Sequence, residues 1–314
     1  MKRLLILSGK GGTGKTTIAS SFIYFSKAKA IADCDVDAPN LHLVSNFQSK
    51  PIVSDFIGSE KAMIHPEKCI GCQQCLKHCR FGAIKMEDGH CQVNEYACEG
   101  CGVCEYVCPV GAVSMVDDVA GTQYLFKEDQ VFSSAKLKMG RGNSGKLVSE
   151  VKKALFDNSD ADLAIIDGSP GIGCPVSASI IGVDLVLIVA EASKSGISDL
   201  RRLLGMTETF HTSVAVCVNK WDASPENTKE IEDFCKGENI PFVGKIPYDS
   251  KACKAMNAGI SLAQLHTPSV TSLKNVYENT MSLMVENVDE GRKKLKELLD
   301  KKKKEIEEKR KGEN

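Results

Sequence analysis

The chain has 314 residues and a formal net charge of −1, with 40 basic and 41 acidic side chains, so no global field favours nucleic acid or an anionic membrane. Hydrophobic residues make up 42 %, in runs much shorter than the ~20 residues of a membrane span, and Met1-Lys2-Arg3 followed by Leu4–Leu7 is too short for a signal-peptide core. Fourteen cysteines are the outlier; metal ligation in a reducing, cytoplasmic compartment fits them better than a disulfide framework.

In chain order, Lys2–Leu7 reads as a buried strand, and a glycine loop leads from it to a helix from Lys15 to about Ser26. A short strand, Ala28–Ala32, runs into the acidic segment Asp33-Cys34-Asp35-Val36-Asp37. Strands are expected at Ile52–Ile57 and Ala62–Ile64, and a cysteine-rich region from about His65 to Val116. Beyond it come strands at Tyr124–Phe126 and Val131–Lys138, a helix at Leu147–Phe156, and a buried strand, Leu163–Ile166, that ends at Asp167. Val183–Val189 and Val214–Val218 are continuous and β-branched, as strands buried on both faces are. Helices are expected at Ser198–Phe210 and Glu226–Lys236. Strands alternating with helices predict an α/β fold with a doubly wound, mostly parallel sheet. The cysteine region interrupts that alternation and is read as an insertion. The expected division is 1–60 and 119–287 for the two parts of the α/β domain, 61–118 for the insertion and 288–314 for a charged tail.

Gly9-Lys10-Gly11-Gly12-Thr13-Gly14-Lys15-Thr16 matches G-x-x-x-x-G-K-[ST]. Glycines let backbone N–H groups wrap phosphates without Cβ clashes, and the helix that follows points its positive end at the same anion. Lys15 is placed to reach the outer phosphates, Thr16 offers a hydroxyl to Mg²⁺, and Thr17 is expected among the nucleotide-binding residues. The expected ligand is therefore a nucleoside triphosphate with Mg²⁺.

With Lys10 early in the loop, the segment resembles the K-G-G-x-G-K-[ST] pattern of the MinD/ParA/Mrp class of ATPases, which also includes the nitrogenase iron protein. The resemblance covers residues 1 to about 285. It implies ATP hydrolysis, with Lys10 reaching a partner's nucleotide in a nucleotide-dependent homodimer. It implies that Asp35 positions the attacking water and that Asp33 lies near the metal, although a helix-capping role at Pro39-Asn40-Leu41 competes and fits Asp37 better. Asp167, in Asp167-Gly168-Ser169-Pro170-Gly171, would hold Mg²⁺ through water. Asn219 would recognise the base, with Pro247-Tyr248-Asp249 as a second wall. Asn219-Lys220-x-Asp222 also resembles the guanine-reading motif of GTPases.

Cys69-x2-Cys72-x2-Cys75-x3-Cys79 recurs as Cys98-x2-Cys101-x2-Cys104-x3-Cys108 followed by Pro109. This is the run of bacterial two-cluster ferredoxins, in which the fourth cysteine ligates the other 4Fe–4S cluster. One cluster then takes Cys69, Cys72, Cys75 and Cys108; the other takes Cys98, Cys101, Cys104 and Cys79. Paired C-x2-C zinc sites do not explain a triple spacing repeated twice. Arg80 replaces the proline usual after the first block, which implies a changed potential or exposure. The remaining cysteines are scattered. Cys174 lies seven residues after Asp167, the offset of a cluster ligand in the nitrogenase iron protein, but it is read first as a small buried thiol before Pro175. Gly140–Lys146 reads as an anion or interface loop, or as a plain connection with Ser144 as N-cap.

Three roles are open on these motifs. An ATPase gates electron transfer to a redox partner; a cluster carrier or assembly factor moves clusters; or a positioning ATPase senses redox state. No nucleic-acid partner and no strong membrane binding are expected.

Overall fold

The computed structural model describes residues 1–45 and 47–285; the charged tail expected at 288–314 lies outside them. The first half comprises β1 (Lys2–Ser8), α1 (Lys15–Ser26), β2 (Ala30–Asp33), β3 (Ile52–Ile57), β4 (Lys61–Ile64), α2 (Gln74–His78), β5 (Ile84–Glu87), β6 (His90–Val93), α3 (Val103–Tyr106) and β7 (Val113–Val116). The second comprises β8 (Val119–Lys127), β9 (Val131–Leu137), α4 (Ser144–Asp157), β10 (Leu163–Pro170), α5 (Cys174–Ile180), β11 (Leu185–Glu191) and α6 (Lys194–Thr209). It continues with β12 (Ser213–Asn219), α7 (Pro225–Gly237), β13 (Phe242–Ile246) and α8 (Lys251–Asn257), and α9 over 268–285.

Nine strands form one sheet in the order β13-β12-β11-β1-β10-β2-β9-β8-β3. The seven from β13 to β9 are parallel, and β8 and β3 add an antiparallel edge. β1 shows why the sheet must be covered on both sides. Leu5 and Leu7 pack with apolar residues of α4 to α7, whereas Leu4 and Ile6 pack with those of α1 and α9. All four side chains are fully buried, each contributing roughly 1.5–3 kcal/mol. This is the expected doubly wound, mostly parallel sheet. β10 runs on past Asp167 to Pro170, because Ser8 pairs with Pro170 across a register shift. β13 was not legible as a strand, since Gly244 and Lys245 break its apolar run.

Buried Lys152 of α4 donates to the carbonyls of Ala178 (3.0 Å), Ser179 (2.7 Å) and Ile181 (2.5 Å) at the end of α5. It neutralises the negative end of that helix from inside, and burial lowers its pKa to about 8.

Between β3 and β8 the chain leaves the main sheet. β4 pairs with β7 and β5 with β6, both antiparallel, around a separate apolar cluster containing Ala62, Ala83, Ile84, Val113 and four cysteines. The segment repeats itself with a shift of 29 residues (98 − 69), which carries β4 onto β6, α2 onto α3 and β5 onto β7. Its two ends meet: the Gly58 N–H donates to the Asp118 carbonyl at 2.9 Å.

Candidate functional site

The loops after β1, β2, β10, β12 and β13 gather at the carboxyl ends of the parallel strands, where open α/β sheets bind ligands. There lies a cavity of about 700 Å³ lined by Gly11, Gly12, Thr13, Gly14, Lys15, Thr16 and Thr17, by Asp35 and Asp37, and by Asn219, Pro247 and Asp249. Two glycines in the loop have physical reasons to be glycine. Gly14 has φ +95°, and a Cβ there would sit 2.2 Å from Asn219 Nδ2; a Cβ on Gly9 would sit 2.2 Å from the Cβ of Asp199.

Lys15 is buried at the head of α1 and donates to Asp167 Oδ1 at 2.6 Å, with Asp35 Oδ2 3.8 Å away. Burial works against its charge, but Asp167, Asp35 and Asp33 together hold its pKa above the ordinary value. The acids respond in kind. Burial, then the Asp167 charge, pushes Asp33 upward. Burial raises Asp35 to about 6, with Lys15 opposing and Asp167 adding. Three acids thus crowd one ammonium, and Asp167 Oδ2 is buried with no hydrogen-bond partner. An orphaned carboxylate oxygen in acid excess suits a divalent cation, so the residues present fit Mg²⁺.

Asp33 accepts from the backbone N–H of Asp35 (3.1 Å) and of Leu41 (2.9 Å). The carboxylate bonded to the Pro39-Asn40-Leu41 turn is therefore that of Asp33, where the sequence had favoured Asp37 for the cap. Cys34 N–H donates to the Asp167 carbonyl (2.7 Å), and the Ser169 hydroxyl to the Cys34 carbonyl (2.6 Å), tying the loops after β2 and β10 together.

On the opposite wall, Asn219 Nδ2 donates to the Thr13 carbonyl (2.7 Å) and its Oδ1 accepts from Lys220 N–H (3.0 Å). Lys220 Nζ donates to the Gly12 carbonyl (2.9 Å). Asn219 lines the cavity while bracing the glycine loop. Asp222 does not line it; its Oδ1 accepts from Tyr248 N–H at 2.7 Å. Asp249 accepts from Lys251 N–H (2.8 Å) and the Ser269 hydroxyl (2.5 Å), which anchors α8 to α9. Sequence reasoning missed Leu43, Cys253, Met256 and Asn257, which also line the cavity. The last three stand on or beside α8, a short helix without a strong apolar period. Lys10 pairs with Glu191 and lies 3.2 Å from the Ser195 hydroxyl, both in its own chain.

The eight motif cysteines divide between two further cavities. Cys79, Cys98, Cys101 and Cys104 line one; Cys69, Cys72, Cys75 and Cys108 line the other. The grouping is the one in which each fourth cysteine crosses to the opposite set. Ala112 N–H donates to the Cys108 sulfur at 3.2 Å. Burial opposes it, yet the N–H groups of Val110, Ala112, Val113 and Gly111 lower the Cys108 thiol below its ordinary pKa, as a thiolate ligand requires. Four soft sulfur donors around each cavity fit an iron–sulfur cluster. Among the described residues, no three His, Cys, Asp or Glu side chains converge as ligands of a single metal ion.

Two expectations need correction. Cys174 is exposed, not a buried thiol; it is the first residue of α5, with Gly145 beside its backbone. The N-cap of α4 is Asn143 at φ 70°, and Ser144 begins the helix. The loop before α4 faces the cysteine segment. Arg141 pairs with Glu95 (2.8 Å) and Asp118 (3.2 Å) and lies over the Tyr96 ring, 4.9 Å from its centre; Asn143 donates to Ser59 at 2.9 Å. No described helix is long and apolar enough to cross a membrane.

Among known proteins, the chain is 35 % identical over 283 residues to the uncharacterized protein MJ0578 of Methanocaldococcus jannaschii, covering 88 % of this chain and 95 % of that one. It is 24 % identical over 312 residues to the iron-sulfur cluster carrier protein of Pyrococcus furiosus, covering 93 % and 90 %. Its fold is similar to that of the septum site-determining protein MinD of Pyrococcus horikoshii, complexed with Mg-ADP, at a TM-score of 0.54 and 16 % identity over 91 % of this chain and 98 % of that one. Residues 4–262 match the CobQ/CobB/MinD/ParA nucleotide binding domain, and the chain belongs to that family.

Proposed function

We propose that this protein is a Mg²⁺-dependent ATPase carrying two 4Fe–4S clusters in a ferredoxin-like insertion, and that it couples nucleotide state to electron transfer or to a redox-sensitive partner. One observation carries the reading: a single chain holds a phosphate cradle at the sheet's carboxyl edge and two cavities, each lined by four motif cysteines.

In the nucleotide site, the glycine loop presents backbone N–H groups to the phosphates and Lys15 neutralises the outer ones. Thr16 and Asp167 would hold Mg²⁺, with Asp33 fixing the loop behind them. Asp35 lines the cavity with a pKa of about 6. It is mostly ionised at neutral pH yet close enough to it to orient water and take up its proton. Tyr248, on the Pro247–Asp249 wall, and Asn219 border the base. Engagement of Asp222 by Tyr248 N–H supports adenine over guanine, because a guanine-reading carboxylate would have to face the ligand. Lys10 would leave Glu191 to meet a partner's nucleotide in a homodimer. The insertion spans 61–118, and the sets Cys69/Cys72/Cys75/Cys108 and Cys98/Cys101/Cys104/Cys79 each hold a cluster. Clusters so held supply one-electron transfer.

A second reading, a cluster carrier, is favoured by the name of the Pyrococcus furiosus relative and by one exposed cysteine in each set, Cys72 and Cys101. The test is anaerobic purification with iron and sulfide analysis, ATPase assay, sizing and EPR of the reduced protein with and without Mg-ATP. About eight iron per chain, hydrolysis of ATP and spectra that shift with nucleotide are expected. Iron-free protein would sink the cluster reading, and full clusters indifferent to ATP would sink the coupling. ATP-quickened transfer of iron to an apo-protein would select the carrier.

A further inference from the structure

The cavity of Cys69, Cys72, Cys75 and Cys108 holds a fifth thiol. Cys91, on β6, is 2 % exposed and lines the same cavity. It shares with Cys75 both the lining of that cavity and the buried cluster around it. The motif spacing does not point to Cys91, which falls outside both cysteine blocks.

The internal repeat shows what is unusual about it. Shifting by 29 residues carries Ala62 onto Cys91, just as it carries Cys75 onto Cys104. Ala62 lines the cavity of Cys79, Cys98, Cys101 and Cys104, so the two residues occupy matching places. The same device fixes both. A Cβ on Gly71 would meet the Gly89 carbonyl at 2.7 Å, and a Cβ on Gly100 would meet the Glu60 carbonyl at 2.2 Å. His90 Nδ1 contacts the Cys69 carbonyl at 3.2 Å, as Lys61 Nζ contacts the Cys98 carbonyl. Each strand is thus pinned to its own cysteine loop, and its second residue is turned onto the cavity. One half places a methyl group there. The other places a sulfur beside a motif cysteine.

We propose that Cys91 is a reserve ligand of the first cluster site, able to take the place of Cys75. The proposal rests on the two-cluster reading above. In the exchange the iron–sulfur bond to Cys75 breaks and one to Cys91 forms. The proton of the Cys91 thiol ends on Cys75, and no electron moves. The second site, with Ala62 beside its cysteines, has no such exchange, and it serves as the control within the same molecule.

The experiment is iron and sulfide content with EPR on the anaerobically purified full chain and four variants. Cys104→Ala is expected to lose half the wild-type iron. Cys75→Ala is expected to keep all of it, and Cys75→Ala combined with Cys91→Ala to fall to half. A Cys75→Ala chain that loses half its iron, as Cys104→Ala does, overturns the proposal. Cys91→Ala alone removes no resident ligand and guards against misfolding of the others. It should speed iron release from the first site to a chelator by tenfold or more while leaving the second unchanged. Equal release in variant and wild type also overturns the proposal. A wild-type chain without iron would instead strike the cluster reading itself.

Discussion

At the scale of single residues, the site is governed by an excess of acid around Lys15. Asp35 has its pKa raised to about 6 from 3.8, so the folded state holds its proton more tightly than the unfolded chain does. The contribution is fully present below about pH 4 and is lost as pH rises through about 6. The nucleotide-free protein should therefore lose stability across that window. Asp35→Asn should match wild type at pH 4 and exceed it at pH 7 by about 1–2 kcal/mol after solvent screening, as read by urea denaturation at each pH. An equal offset at both pH values would show that the shift does not act on stability. Lys15 and Asp35 were legible in the sequence because their motifs fix both residue and neighbours. The Asp33 bond to Leu41 was not, since it depends on how the turn after β2 folds back. Nor was the grip of Asn219 on the Thr13 carbonyl, a contact across 206 residues.

At the scale of elements, the glycine loop and the loop before α4 contrast. The first is written into the sequence, because Gly9 and Gly14 meet atoms that exclude a Cβ. The second has glycines and cations but no motif, and only the structure shows what it touches. Arg141 sits between Glu95, Asp118 and the Tyr96 ring, with its side chain and that of Asp118 largely buried. Arg141→Ala should leave Asp118 without its partner at a cost of about 1–3 kcal/mol. Amide exchange followed by mass spectrometry should then show faster exchange in 61–116 and an unchanged central sheet. Arg141→Lys should not restore protection, because an ammonium cannot bridge two carboxylates and stack on a ring. Unchanged exchange in Arg141→Ala would remove this loop as the link between the two parts. The short elements α2, α3, β5 and β6 escaped prediction for a related reason. They are 4 or 5 residues long, too short for a periodic pattern.

At the scale of the whole molecule, the main sheet was legible because its central strands are continuous apolar runs between helices, a pattern that only burial on both faces explains. The interruption was legible from its cysteines, but the way it joins its host was not. β3 and β8 are antiparallel partners from Ile52–Leu125 to Ile57–Val119, closed by the bond from Gly58 to Asp118. They are the two arms of a hairpin, and everything from 59 to 117 is its turn. Closing a longer turn costs only about 0.6 kcal/mol per doubling of length, so the host edge hardly registers the size of what it carries. The cysteine segment is in that sense a detachable cassette, joined to its host at two adjacent chain ends and by the loop before α4 rather than woven through it. Exchanging 59–117 for an Asn-Gly turn should give a smaller iron-free protein that keeps the nine-stranded sheet and still binds Mg-nucleotide by calorimetry. A truncated chain that cannot fold would mean the edge is held up by its passenger.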